Sequence, residues 1–222
     1  MADYTGTVAV GGPPDVRRLP GLTIVKLAVG PLSNNAYLLR CVASGEGLLI
    51  DAANEPARLA ELARFEGPPV SAILTTHAHA DHWQALAALV EDAGAAVYAG
   101  AADADELPVA VDERLAHGDT VDVGETTLEI IGLRGHTPGG IAALYRDPSP
   151  GGRAHLFTGD SLFPGGVGKT ATPADFDALL TDVRTRLFDE LPDDTWFYPG
   201  HGADSTLGAE RPHLAEWRAR GW

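Results

Sequence analysis

Residues 76–82, THAHADH, follow directly on the apolar stretch VSAILT (70–75). They place three imidazoles and one carboxylate within six residues, with only small alanines between them. Imidazole and carboxylate suit Zn²⁺ or iron, and a loop at the end of a buried strand can turn alternate side chains toward one ion. A solvated loop that is rich in histidine by chance is the alternative. The predicted metal ligands are His77, His79, Asp81 and His82.

Three later loops supply residues of the same chemical types, and each follows a predicted strand. Glycine flanks each candidate and allows the backbone to bend tightly. A single histidine or aspartate of this kind is usually structural, but three in order, downstream of the histidine cluster, predict partners in one site. His117 and His155 match no ligand motif, so we interpret them as surface or packing residues. The three loops are GHTPGG (135–140) with His136, TGDS (158–161) with Asp160, and PGHG (199–202) with His201.

The four motifs together resemble those of the metallo-β-lactamase superfamily, and the resemblance runs from about residue 48 to residue 201. It implies an α/β (α+β) fold, a four-layer αββα sandwich, with a dinuclear metal site at its edge. Two divalent metal ions are therefore expected, zinc above all, with iron or manganese able to substitute. By this resemblance His77, His79 and His136 hold the first ion, Asp81, His82 and His201 hold the second, and Asp160 bridges both.

The resemblance also implies roles around the metal ligands. Asp51 ends the strand-like stretch GLLID and matches the acid that buttresses the histidine loop, although a simple strand-end turn gives the same pattern. Asp81 and Asp160 are the candidate catalytic carboxylates. Two ions about 3.5–4 Å apart can share a hydroxide and polarise the carbonyl that it attacks. The expected chemistry is hydrolysis without a protein nucleophile, since no serine lies in a G-x-S-x-G elbow.

Apolar periodicity predicts strands and helices in an order that suits two mixed sheets covered by helices. The whole chain, 1–222, is expected to form a single domain with a loose leader over 1–21 and a short C-terminal helix within 203–222. Helices are predicted over 55–65, from about 83 to 94, from 173 after an N-cap at Thr172, and from about 210. Strands are predicted over 22–29, 35–42, 47–52, 70–76, 96–100, 120–123, 126–133, 141–146, 154–159 and 195–200.

Composition narrows the classes of partner. The formal net charge of −15 argues against a nucleic-acid partner and against an anionic membrane surface. No apolar run approaches the ~18 residues of a membrane span, and no signal-peptide pattern is present. The single cysteine, Cys41, excludes an intrachain disulfide, and its apolar neighbours favour a buried core position. We expect a soluble, cytoplasmic protein, and the sequence predicts no oligomeric state.

The stretch FPGGVGKT (163–170) ends like a nucleotide-binding phosphate loop. That motif requires G-x-x-x-x-G-K-[ST], but Phe163 stands where the first glycine is needed. The longer stretch GDSLFPGGVGKT resembles the corresponding loop of the hydroxyacylglutathione hydrolases, the glyoxalase II group. The resemblance implies that Lys169 binds the thiol-derived end of a thioester substrate. A solvent-facing loop lysine is the alternative.

These features predict a metal-dependent, glyoxalase II-like hydrolase that cleaves an acyl thioester of a small thiol. Thr170 and Ala171 replace an aromatic residue of that group, and only residues 202–222 follow His201, so a thiol other than glutathione is equally open. The main alternative is a persulfide dioxygenase with one Fe(II) on His79, His136 and Asp160. A lactonase ranks third, and a non-catalytic binding module ranks fourth because all seven ligands are present.

Overall fold

The computed structural model describes residues 4–221. Its first sheet has seven strands in sequence order, antiparallel from β1 to β4 and parallel from β4 to β7. Parallel pairing brings the carboxyl ends of β4, β5 and β6 to one edge of the sheet. The strands are β1 Asp15–Arg18, β2 Leu22–Val29, β3 Asn34–Cys41, β4 Gly47–Ile50, β5 Ala72–Thr75, β6 Ala96–Gly100 and β7 Glu113–Leu115.

The second sheet has six strands in the order β15-β14-β11-β10-β9-β8. All neighbours are antiparallel except β11 and β14, whose carboxyl ends therefore lie side by side. A small hairpin of β12 and β13 follows β11. The strands are β8 Thr120–Val123, β9 Thr126–Gly132, β10 Ile141–Arg146, β11 Ala154–Gly159, β12 Leu162–Phe163, β13 Gly166–Val167, β14 Trp196–Pro199 and β15 Ser205–Thr206.

The helices cover the outer faces of the two sheets. Three buried apolar clusters fill the three interfaces: α1 and α2 against the first sheet, sheet against sheet, and α3 and α5 against the second sheet. Alternate strand residues point into different clusters, as the period of two requires. The four-layer αββα sandwich is thus confirmed. The helices are α1 Pro56–Ala63, α2 Leu86–Ala93, α3 Pro173–Val183, α4 Leu207–Glu210 and α5 Leu214–Arg220.

Local sequence signals predicted the start of α3 correctly and the start of α2 about one turn too early. Thr172 caps α3 with a capping box: its hydroxyl accepts from the Asp175 N–H, and the Asp175 side chain accepts from the Thr172 N–H. Helix α2 begins at Leu86, not near Trp83, because a 3₁₀ turn over Ala80–His82 precedes it. The Trp83 indole instead donates to the Ala78 carbonyl, 2.7 Å away, and so secures the histidine loop.

The predicted loose leader contains ordered structure. Strand β1 lies inside it and pairs with β2, and the Tyr4 hydroxyl donates to Asp204 at 2.6 Å. The sequence showed no sign of this because β1 is short, polar and half-exposed at the sheet edge. Residues 1–3 of the leader lie outside the described residues. The C-terminal segment adds β15 and α4 before α5, so the predicted short helix was incomplete.

Cys41, His117 and His155 differ in burial. Cys41 is buried in the core between the sheets, as predicted. His117 is exposed, whereas His155 is buried within the second sheet. Across residues 4–221, no helix combines the length and apolar character that a membrane span requires.

Candidate metal centre

Seven candidate ligands from four loops meet at one edge of the sandwich. The loop and 3₁₀ turn after β5 supply four of them, and the loops after β9, β11 and β14 supply one each. Strands β11 and β14 are parallel neighbours, so the loops that follow them lie together, and the fold brings Asp81 and His201, 120 positions apart in sequence, to within 3.3 Å of each other. The candidate ligands are His77, His79, Asp81, His82, His136, Asp160 and His201.

The potential ligand atoms form three overlapping groups, in each of which all atoms lie within 4.8 Å of one another. His77, His79 and His136 make the first group, and their ring centroids are 4.5–4.9 Å apart. The other two groups are His77, His82 and Asp160, and Asp81, His82 and His201.

Asp160 lies between the group of His77, His79 and His136 and the group of Asp81, His82 and His201. Its Oδ1 is 3.4 Å from His82 Nε2, while its Oδ2 is 3.7 Å from His136 Nε2 and 3.5 Å from His201 Nε2. One carboxylate therefore faces an imidazole of the first group and two imidazoles of the second. A bridging ligand between two cations requires this arrangement.

Several of these atoms are buried without a hydrogen-bond partner among the described residues: His77 Nε2, His82 Nε2, His136 Nε2 and Asp160 Oδ1. Buried polar atoms in native proteins are nearly always satisfied, so four that converge on one point need an explanation. A bound divalent cation satisfies imidazole nitrogens and carboxylate oxygens together. The residues present therefore fit metal ions.

Glycine next to the ligands is a packing requirement at two positions. A β-carbon on Gly200 would collide with Asp160 Oδ1, and one on Gly168 would collide with the Asp160 carbonyl oxygen. Both loops can approach the Asp160 loop only because these residues have no side chain. The glycine of the GKT sequence thus serves close packing against the site.

Asp51 organises the histidine loop from beneath. Its Oδ2 accepts from His82 Nδ1 at 2.8 Å and from the Thr76 hydroxyl at 2.8 Å, while its Oδ1 accepts from the Thr76 N–H. Because the Thr76 hydroxyl proton points to Asp51, the hydroxyl oxygen is free to accept from His77 Nδ1, 3.0 Å away. Both rings consequently turn their Nε2 atoms toward the site.

Backbone carbonyls orient two more rings. His136 Nδ1 donates to the Lys169 carbonyl at 2.6 Å, and His201 Nδ1 donates to the Leu32 carbonyl at 3.0 Å. Lys169 is therefore beside the site through its main chain, while its side chain is exposed to solvent. The sequence motif predicted a role for the Lys169 side chain and did not predict that its carbonyl would accept from His136.

Two further residues that the sequence analysis did not select support the ligand loops. Asn34 Nδ2 donates to Asp81 Oδ2 at 2.8 Å. Buried Asp103 accepts from the Ala78 N–H, the Thr137 hydroxyl and the Gly139 N–H, and so joins the histidine loop to the loop of His136. The buried pair Asn34-Asn35 at the start of an apolar strand was a usable signal, whereas the acidic stretch around Asp103 contained none.

Burial and neighbouring charges shift the pKa values of the candidate ligands in different directions. Burial, together with the neighbouring His82, holds the pKa of His77 well below its usual range, and burial lowers the pKa of His136. Burial also opposes a charge on His82, but the carboxylates of Asp51 and Asp160 outweigh it and raise the pKa of His82 to about 10. The pKa of Asp160 is lowered because hydrogen bonding and charge from His82 exceed its burial penalty. Without metal, His82 therefore binds a proton that it shares with the carboxylates of Asp51 and Asp160.

Comparison with known proteins shows which family this chain resembles. Residues 29–201 match the Metallo-beta-lactamase superfamily. A hydroxyacylglutathione hydrolase from Fuscovulum blasticum is 39% identical over 170 residues, which are 76% of this chain and 62% of that protein. This chain therefore spans less than two thirds of the length of that relative.

Two further proteins are similar over nearly their full length. An uncharacterized protein from Aquifex aeolicus (strain VF5) is 30% identical over 211 residues, 86% of this chain and 94% of that protein. The crystal structure of TTHA1623 in a di-iron-bound form is 34% identical, with a TM-score of 0.69 over 84% of this chain and 96% of that one. The matched segment contains every candidate ligand, and the chain belongs to the metallo-β-lactamase superfamily.

Proposed function

We propose that the protein is a dinuclear metal-dependent hydrolase that cleaves acyl thioesters of a small thiol, as the hydroxyacylglutathione hydrolases it resembles are named to do. The observation that supports it is the position of Asp160 between two sets of three ligands. A site for one ion needs neither the second set nor a shared carboxylate. We propose a cytoplasmic location for this activity.

Each residue has a part in the proposal. His77, His79 and His136 would hold one ion, Asp81, His82 and His201 the other, and Asp160 both. When bound, the ions supply a water of lowered pKa and polarise the substrate carbonyl. Zinc is the proposed metal, with iron or manganese able to substitute.

Asp81 is the carboxylate most available to the reacting water. Its side chain is 27% exposed, compared with 14% for Asp160, and Asn34 holds one of its oxygens. The pKa of Asp81 is lowered, because its hydrogen bond from Asn34 and the charge of His82 outweigh burial. An ionised carboxylate at the open side of the site can accept a hydrogen bond from water and orient it toward a substrate carbonyl.

Lys169 is proposed to bind the anionic tail of the substrate. Its main chain is tied to His136, so its exposed ammonium group starts from a fixed point beside the ligands. In a chain with net charge −15, a cation at this position gives an anionic substrate a local attraction that the remaining surface opposes. The proposal specifies neither the identity of the thiol nor that of the anionic tail of the substrate, because this chain spans only 62% of the matched hydrolase.

The test combines metal analysis with a substrate panel. Protein purified without added metal should contain close to two metal ions per chain and should hydrolyse thioesters without consuming oxygen. The panel should contain a hydroxyacylglutathione, an acyl thioester of another anionic thiol, a neutral thioester and a lactone. One iron per chain with oxygen uptake on a persulfide would contradict the proposal in favour of a dioxygenase, and turnover of lactones alone would indicate a lactonase.

A further inference from the structure

A cavity lies at the opposite end of β11 from Asp160. Its volume is about 330 Å³, and Arg17, Ser149, Arg153 and His155 contribute to its wall. His155 precedes Asp160 by five residues along an extended strand, which separates the two by roughly 16 Å. The cavity is therefore distinct from the metal centre, and none of the metal ligands lines it.

Arg17 is held in place by aromatic rings and not by an acid. Its guanidinium carbon lies 4.2 Å from the ring centre of Tyr4 and 4.0 Å from that of Trp196, and Nη1 donates to the Tyr198 hydroxyl at 3.0 Å. Within residues 4–221 it has no carboxylate partner. Since a guanidinium carries five N–H donors, four remain available on a group whose orientation is already set.

His155 lies in the wall of the same cavity and is joined to Arg17 through the Tyr198 hydroxyl. Its exposed fraction is 1%, and its Nδ1 is 2.8 Å from the Tyr198 hydroxyl. Because that hydroxyl accepts from Arg17, its own proton points to Nδ1, so the neutral ring carries its proton on Nε2. Nε2 is buried and finds no hydrogen-bond partner in the described part of the chain. The ring is therefore a buried neighbour of the Arg17 guanidinium and responds to charge bound beside it.

Arg153 adds a second cation without a partner. It is exposed, and it forms neither an ion pair nor a side-chain hydrogen bond with residues 4–221. Asp147 is the one acidic residue in the cavity wall, and its Oδ1 already accepts from the Ser149 N–H at 3.0 Å. With His155 neutral, two guanidinium groups against one carboxylate leave a net positive cavity on a protein whose total charge is −15.

We propose that this cavity binds the phosphate group of a small phosphate monoester through the guanidinium groups of Arg17 and Arg153. Donors that approach from two strands match a tetrahedral group with three free oxygens, and arginine is well suited to phosphate. The volume lies at the lower end of the range for small-molecule sites, about 300–1,000 Å³, so a phosphate with a few carbon atoms fits.

The His155 ring gives a readout that belongs to this cavity alone. Burial first, and then the charge of Arg17, lowers its pKa to about 4, so a bound dianion should raise that pKa and shift the ring resonances. The experiment is a titration of the metal-loaded protein at pH 7 with inorganic phosphate, with glycerol 1-phosphate and with glycerol, followed by histidine NMR. We expect saturable shifts of His155 with both phosphates and none with glycerol.

The matched variants are Arg153→Gln and Arg184→Gln, both at exposed arginines, of which Arg184 lies outside the cavity wall. Arg153→Gln should weaken binding at least tenfold, and Arg184→Gln should leave it unchanged. The proposal is overturned if His155 does not respond, if Arg153→Gln binds phosphate as tightly as the unmodified protein, or if only the metal-site histidines respond. Binding of inorganic phosphate without the ester would overturn the monoester assignment.

Discussion

Lys26 Nζ and Asp204 Oδ1 lie 2.6 Å apart, and both side chains are fully buried. Lys26 also donates to the carbonyls of Gly6 and Gly202, and Asp204 Oδ2 accepts from the Tyr4 hydroxyl and the Trp196 indole. Burial lowers the pKa of Lys26, against the opposing attraction of Asp204. Gly202 directly follows His201, so this ion pair connects β2 and the first residues of the described chain to the loop of a candidate metal ligand.

Breaking that pair from one side should destabilise the protein strongly. Lys26→Met leaves the buried Asp204 carboxylate without its cation, and we expect the free energy of unfolding to fall by about 3–5 kcal/mol. Urea unfolding of the metal-loaded protein measures it. The exposed pair Arg114–Asp105 is the control, since Arg114→Met should cost less than about 1 kcal/mol. A loss for Lys26→Met as small as that of the control would contradict the interpretation.

Asp160 and His201 should differ in their effect on metal content. Asp160→Ala removes a donor from both proposed ions and should lower the occupancy of both, whereas His201→Ala should reduce bound metal toward one ion per chain. Metal analysis after gel filtration gives both numbers. His213→Ala, at an exposed histidine, should retain full occupancy. Full loading and full activity of Asp160→Ala would rule out the bridging role.

Asp51→Asn should weaken metal binding while leaving every direct ligand in place. The amide has one acceptor oxygen and cannot replace the carboxylate that accepts from both His82 Nδ1 and the Thr76 hydroxyl. The His82 ring, and the His77 ring that contacts Thr76, should therefore lose their fixed orientation. Loss of such a supporting group typically lowers metal affinity about 10–100-fold. Competition with a chromogenic chelator measures the affinity. An unchanged affinity would reduce Asp51 to a turn residue.

Lys169→Ala separates the side chain from the carbonyl of the same residue. The carbonyl that accepts from His136 is kept, so metal content should not change. Loss of the ammonium group should raise KM for thioesters with an anionic tail and lower kcat/KM roughly tenfold, with kcat little changed. Neutral thioesters should be spared. Equal losses on charged and neutral thioesters, or no loss on either, would favour the solvent-facing interpretation.

His155 should make stability fall on the acid side. Its pKa is about 4 in the folded protein and about 6.5 when unfolded. Above pH 6.5 neither state binds the proton, but between pH 6.5 and 4 only the unfolded state does, so stability is lost as the pH falls. Relative to His155→Gln, which cannot titrate, the loss from pH 7 to pH 5 should be about 1.5–2 kcal/mol. Urea unfolding in phosphate-free buffers checks it, and parallel pH profiles for the two proteins would contradict it.

The local sequence determined most of the architecture. Runs of apolar residues marked the long buried strands, and Thr172-Pro173 marked the start of α3. Both signals are local, because an apolar pattern and a helix cap are formed by residues that are adjacent in sequence. The strand-end loops with histidine and aspartate located the site for the same reason. The short edge strands β1 and β7 and the two-residue strands β12, β13 and β15 have no such local pattern and were missed.

Tertiary structure alone decided what surrounds the ligands. The carbonyl of Lys169 reaches His136 across 33 residues, the carbonyl of Leu32 reaches His201 across 169, and Lys26 reaches Asp204 across 178. Every residue has a carbonyl, so the sequence cannot show which one faces an imidazole. Likewise, a lysine in an apolar strand reveals its buried partner only when the chain has folded and brought the two charges out of water together.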